Sequence, residues 1–185
     1  MVVIGITGTL GAGKGTIVEY LEKKLNFKHF SVREFLSQEI RKRGMELNRD
    51  SMTNVANELR ADFSPSYIID QLFLQAKQSG ENCIIESIRT PGEVDSLRKK
   101  GDFWLFAVDA DPKIRYQRIQ IRKSSTDAVS FDTFIENENR EMNSDDPNKQ
   151  NLKVCIERAD FVLKNDGNIE DLHLQLEQII DKIEK

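Results

Sequence analysis

Between residues 8 and 16 the chain reads Gly8-Thr9-Leu10-Gly11-Ala12-Gly13-Lys14-Gly15-Thr16, directly after the apolar run Val2-Val3-Ile4-Gly5-Ile6. Glycines allow positive φ angles and a close approach of the backbone, so successive N–H groups can turn inward and form an anion nest. A helix starting near Gly13 would add the positive end of its dipole, and Lys14 a mobile charge. A G-x-x-x-x-G-K spacing after a strand and before a helix is the pattern that cradles a polyphosphate. Gly11, Ala12, Gly13, Lys14, Gly15 and Thr16 are therefore candidate contacts for the phosphates of ATP.

Further charged residues fall where other apolar runs end. Glu86-Ser87-Ile88-Arg89 follows Cys83-Ile84-Ile85, placing an acid and an arginine where an acceptor would sit: Glu86 beside Mg²⁺-bound water or the acceptor, Arg89 on a phosphate. Arg49 precedes a helical stretch bearing Glu58 and Arg60, and the spacing puts Arg60 on a different side from Met52, Val55 and Leu59, towards a cleft or towards water. After Asp111-Pro112 come Arg115, Arg118 and Arg122 on one helical face. Asp111 can partner Arg115, whereas Arg118 and Arg122 are like charges at i, i+4 that suit a bound triphosphate. The turn Lys164-Asn165-Asp166-Gly167 closes the series.

These residues need elements to position them. Short apolar runs at 2–7, 27–31, 83–86, 103–108 and 161–164 show little alternation, as in parallel strands covered on both faces. Ser31 with Glu34, and Thr90-Pro91-Gly92-Glu93, read as capping boxes. Met52, Val55, Ala56, Leu59 and Phe63 repeat at helical spacing after an Asp50 cap, and Leu172, Leu176, Ile179, Ile180 and Ile183 do so near the end; both stripes are expected in the core. The expected fold is a three-layer α/β/α sandwich with a five-stranded parallel sheet and ligands beyond the carboxyl ends of the strands. Residues 1–185 are expected to form a single domain, with an acceptor-binding helical region at about 32–80 and a short lid at about 115–145. Within the lid, the polar segment 123–130 would close over the site; 143–151 is similarly aperiodic.

Composition narrows the partners. With 27 Lys and Arg against 31 Asp and Glu, the 185-residue chain has a net charge of −4, which argues against stable nucleic-acid binding and favours small anions held in a local basic cleft. Apolar runs are too short to span a bilayer and no secretory signal is visible, so a cytoplasmic protein is expected. Cys83 and Cys155 are expected as buried free thiols, and His29 and His173 as structural or surface residues rather than metal ligands.

The GTLGAGKGT loop resembles that of adenylate kinases and related nucleoside monophosphate kinases, members of the P-loop kinases. Residues 49–60 and 84–101 are similar to segments of phage-type deoxynucleoside monophosphate kinases, which typically have an Asp where Glu86 stands, and 159–167 resembles dephospho-coenzyme A kinases. Adenylate kinase proper is a poorer match, lacking here its acceptor-side aspartate-glycine-phenylalanine-proline-arginine sequence and a cysteine-bearing lid. The resemblance implies γ-phosphoryl transfer from Mg·ATP to a nucleoside or deoxynucleoside monophosphate. Lys14, Arg118, Arg122 and Glu86 would be catalytic; Arg49, Arg60, Glu86 and Arg89 would meet the acceptor. Arg118, Asn165 and Gly167 would join the glycine-rich loop around ATP, the turn packing on adenine. Gly15 intervenes where the generic loop has its Mg²⁺-binding Ser or Thr, so the resemblance has Mg²⁺ held largely by ATP and water, with Thr16 close by. Alternatives are a dephospho-coenzyme A kinase, with Glu86 as base to a ribose hydroxyl, and an ATP-binding regulatory or assembly module without turnover. A monomer or weak homodimer is expected.

Overall fold

The computed structural model describes residues 1–122 and 129–183. Its elements in chain order are β1 (Val3–Gly8), α1 (Lys14–Leu25), β2 (Lys28–Ser31), α2 (Val32–Lys42), α3 (Arg49–Asp62), α4 (Tyr67–Ser79), β3 (Cys83–Glu86), α5 (Pro91–Arg98), β4 (Phe103–Asp109), α6 (Pro112–Arg122), α7 (Phe131–Met142), α8 (Leu152–Glu157), β5 (Phe161–Lys164) and α9 (Ile169–Ile183). The strands form the expected five-stranded, all-parallel sheet, in the order β2-β3-β1-β4-β5. Placing β1 at the centre brings the loops after β1, β3 and β4 side by side.

The unbroken apolar runs are explained by burial on both faces. Val3, Cys83, Ile85 and Leu105 point into one core with α2, α3, α4, α5 and α8. Ile4, Ile6, Ile84, Phe106 and Val108 point into the other, closed by α1 and α9. Both cysteines are free and buried.

Local capping departs from the sequence expectations in two places. Helix α3 is capped by Asn48, not Asp50: the Asn48 side chain accepts from the Ser51 amide at 2.8 Å while Ser51 Oγ pairs with the Asn48 backbone. Asp50 is left in the first turn, where its charge complements the dipole, and Arg49 becomes the first helical residue. Ser31 accepts from the Glu34 amide, but the Glu34 carboxylate turns to Gln38, so only half of that box forms. The Thr90–Glu93 box forms in both directions. Phe63, expected in the core, is 62% exposed: it caps the end of α3 and stacks on Tyr67 instead.

The region expected as a lid, about 115–145, consists in its described part of α6 and α7 packed against each other. Arg115 and Phe134 are buried between them, with the Arg115 guanidinium over the Phe134 ring. Most of the segment proposed to close, residues 123–128, lies outside the described residues.

Candidate functional site

The glycine-rich loop is shaped by backbone geometry that a side chain would disrupt. Gly13 has φ 107° and caps α1, which starts at Lys14; a Cβ on Gly13 would lie 2.2 Å from the Asn165 amide nitrogen. A Cβ on Gly8, at φ 139°, would lie 2.1 Å from the Val108 carbonyl oxygen of the neighbouring strand. Three polar contacts hold the loop from outside. Thr9 Oγ1 donates to Asp109 at 2.8 Å, Asn165 Nδ2 donates to the Ala12 carbonyl at 2.7 Å, and Arg115 donates to the Leu10 carbonyl.

Two sequence expectations change here. Arg115 does not pair its guanidinium with Asp111 and does not join Arg118 and Arg122 in the cavity; it is buried, clamped by Glu138 of α7 and near Asp109. A buried guanidinium needs a carboxylate, and the one within reach lies in another helix. Asn165 and Gly167 do not line the cavity: Asn165 is buried behind the loop with its amide committed to Ala12, and its Oδ1 is 3.4 Å from Arg118 Nη2. Ala12 is buried as well, so its side chain faces the core.

In front of the loop is a cavity of about 480 Å³. Gly11, Gly13, Lys14, Gly15 and Thr16 form one wall, and Arg118 and Arg122 of α6 another. Glu86, Ser87 and Arg89 enter from the end of β3, while α2 and α3 supply Val32, Arg33, Leu36, Arg49, Met52, Ala56 and Arg60. Helix α4, the last part of the 32–80 stretch, packs behind in the core. Among the described residues the lining contains seven cationic side chains and two carboxylates, Glu86 and Glu141.

Lys14 Nζ lies 2.9 Å from both the Gly8 and Thr9 carbonyls, folded back on its own loop. Burial and the neighbouring Arg89 push its pKa down to about 8, against the opposing pull of Glu86 and Glu141. Glu86 pairs in register with Ile6 and so sits beside the start of the loop. Burial opposes its ionisation, but His29, whose Nε2 is 3.4 Å away, together with Lys14 and Ser87, holds the carboxyl below its ordinary value. Ser87, the next residue, adopts φ 71°, a left-handed conformation unusual without glycine, with its amide bonded to the Ile6 carbonyl.

Arg60 is almost fully buried and ion-paired at 2.9 Å with the equally buried Glu93, the residue that closes the α5 capping box. It forms part of the cavity floor rather than reaching into open solvent. Arg49 and Arg89 converge on Glu141 of α7, and Arg89 is also held by Gln150.

Glu141, Glu138, the ion-pair role of Glu93 and the place of His29 beside Glu86 lie outside the sequence expectations. A usable signal existed for two of them. Phe134, Glu138 and Glu141 fall at i, i+4 and i+7, so both acids share the face of an apolar residue that must be buried. No comparable local signal marks Glu93 or His29, whose partners are 33 and 57 residues away. Among the described residues, no cluster of three or more His, Cys, Asp or Glu could hold a metal ion, and no helix is long and apolar enough to cross a membrane.

Comparison with known proteins agrees with this architecture. The family described as "AAA domain" matches residues 4–146. The UPF0200 protein of Methanocaldococcus jannaschii is 32% identical over 99% of this chain and 91% of its own, and that of Methanothermobacter thermautotrophicus is 30% identical over the same shares. Among solved structures, TT1252 from Thermus thermophilus superposes with a TM-score of 0.63 at 18% identity, covering 98% of this chain and 97% of its own. Shikimate kinase from Bacteroides thetaiotaomicron gives 0.61 at 14% identity, covering 100% and 99%. At such identities the likeness is one of fold. The chain thus belongs to the AAA-domain family, alongside the archaeal UPF0200 proteins, and has the fold of the P-loop kinases in their nucleoside monophosphate kinase-like form.

Proposed function

We propose that this protein transfers the γ-phosphoryl group of Mg·ATP to the phosphate of a nucleoside or deoxynucleoside monophosphate. The observation that carries this reading is the charge of the cavity: leaving aside Arg122 and the Glu93-paired Arg60, five cations face two carboxylates among its described lining residues, in a chain whose net charge is −4. Concentrating positive charge there is costly unless polyanions occupy it, and cations lie on both sides of Lys14, enough for two of them.

In this reading the loop amides and Lys14 hold the ATP phosphates, Lys14 leaving the Gly8 and Thr9 carbonyls for the phosphate oxygens. Arg118 and Arg122 follow the charge as it moves in the transition state. Oxygen donors suited to Mg²⁺, the Thr16 hydroxyl and the Glu86 carboxylate, line the same cavity, so the residues fit a nucleotide-borne ion held directly or through water. Bound there, Mg²⁺ would neutralise phosphate charge. Because a phosphate acceptor is already an anion, positioning and charge stabilisation suffice without a dedicated base. Arg33, Arg49 and Arg89 supply the acceptor end, and α2 and α3 present Val32, Leu36, Met52 and Ala56 as an apolar wall for a base.

One observation favours a second reading. Glu86 lines the cavity beside Lys14 and Ser87, where a carboxylate can take a proton from a hydroxyl, as a dephospho-coenzyme A kinase requires. Coupled ADP-release assays with dCMP, dTMP, AMP, CMP and dephospho-coenzyme A separate the two, with Lys14→Ala as the blank. Turnover with a monophosphate and a Glu86→Gln variant that loses only part of it supports the first reading. Turnover with dephospho-coenzyme A alone, abolished by Glu86→Gln, supports the second. Mg·ATP binding without ADP release on any acceptor would leave an ATP-dependent regulatory module.

A further inference from the structure

Glu141 has the geometry of an internal stand-in for a ligand. Its Oε1 is 2.6 Å from Arg49 Nη2 and its Oε2 is 2.7 Å from Arg89 Nη1, so each carboxylate oxygen serves a separate guanidinium. One arginine opens α3 and the other follows β3, and both line the cavity that holds Lys14. Two oxygens of a phosphate monoester can make the same pair of contacts. We propose that Glu141 is the specificity-determining residue of the acceptor end, its carboxylate occupying the position of the acceptor phosphate so that a doubly charged group displaces it and weaker anions do not. This rests on the phosphorylated-acceptor reading above.

Charge and anchoring both support displacement. Burial works against the Glu141 carboxylate, yet Arg89 and Arg49 keep it ionised, so it remains a competitor for incoming anions. One negative charge between two arginines leaves a positive charge uncompensated, whereas a phosphate monoester carrying about −1.5 to −2 compensates both. A singly charged ligand exchanges like for like and gains little. Gln150 accepts from Arg89 independently of Glu141, which holds that guanidinium in place during the exchange. The Glu141 side chain can swing out alone, because Phe134 and the Glu138–Arg115 pair keep α7 seated.

The test is calorimetric titration of the full chain, wild type, Glu141→Gln and Glu141→Asp, with inorganic phosphate, dTMP, AMP, the singly charged methyl ester of dTMP and a non-hydrolysable ATP analogue. Wild type is expected to prefer dTMP over its methyl ester by more than ~10-fold, the order set by one lost ionic contact. Glu141→Gln should bind inorganic phosphate and the monophosphates at least ~10-fold more tightly, with the preference over the ester reduced and the ATP analogue changed by much less. Glu141→Asp, too short to span both arginines, should shift the same way by less. Equal wild-type binding of dTMP and its ester overturns the proposal without any variant, as does unchanged or weaker phosphate binding in a Glu141→Gln protein that still binds the ATP analogue. If wild type binds the analogue but neither phosphate nor any monophosphate, the phosphorylated-acceptor reading fails as well.

Discussion

Replacing Lys14 with methionine removes the ammonium group that the proposed ATP site needs, and the structure predicts that the same change relieves the empty protein of a pH-dependent penalty. In the folded chain the Lys14 pKa falls from 10.5 to about 8, chiefly through burial and then the proximity of Arg89. At ~1.4 kcal/mol per unit that drop corresponds to roughly 3 kcal/mol held against the folded state while Lys14 is charged, an upper bound because the side chain is only partly buried. Between pH 8 and 10.5 the unfolded chain retains the Lys14 proton and the folded chain has released it, so wild-type stability gains from rising pH across that window. Below pH 8 both states are protonated and the penalty is complete. The Lys14→Met protein carries no such dependence. Loss of the hydrogen bonds to the Gly8 and Thr9 carbonyls, ~1 kcal/mol each, offsets part of the gain without altering its pH slope. Urea unfolding of both proteins at pH 7, 8, 9 and 10 should therefore show Lys14→Met at its greatest relative advantage at pH 7, with the difference shrinking by up to ~3 kcal/mol towards pH 10. Calorimetry with Mg·ATP should at the same time show binding lost. Two stability curves that stay parallel from pH 7 to 10 would refute the argument that burial beside Arg89 penalises the charged Lys14.

Three further outcomes follow from particular contacts. Arg118→Ala should lower kcat by ~10³–10⁵ in the ADP-release assay while leaving the thermal midpoint nearly unchanged, since its long 3.4 Å approach to Asn165 contributes little and Arg118 Nη1 has no hydrogen-bond partner among the described residues. Arg60→Leu should destabilise by ~3–5 kcal/mol in denaturant titrations because Glu93 is left charged and buried, and the double change Arg60→Met with Glu93→Gln should recover much of that loss. Gly8→Ala should destabilise by more than ~1 kcal/mol, because neither its φ of 139° nor the Val108 backbone can accommodate a methyl group; an unchanged melting curve would contradict the described loop.

The strands and the glycine-rich loop were legible because their determinants are local. A run such as Cys83–Ile85 has to be covered on both sides, and β3 and β5 fall where the apolar runs predict. Helix caps were less legible: Asn48 and Asp50 are both good capping residues two positions apart, and the choice fell to the reciprocal bond that Ser51 makes with Asn48. Phe63 departs from its expected core position for a related reason. Helical period identifies a stripe but does not say where the packing surface beneath it ends, and α3 ends there.

By itself the sequence determined a parallel α/β sheet and a backbone nest with a lysine at the tip of its first strand, since strand burial and glycine φ preferences are properties of consecutive residues. It also marked the charged residues at the other strand ends. Which of those charges face the cavity was decided only by tertiary structure, because a buried guanidinium goes to whichever carboxylate the fold brings within reach. Arg115 was drawn to Glu138 and out of the cavity, Arg60 was fixed to Glu93 in its floor, and Arg49 and Arg89, 40 positions apart, were brought to the two oxygens of Glu141.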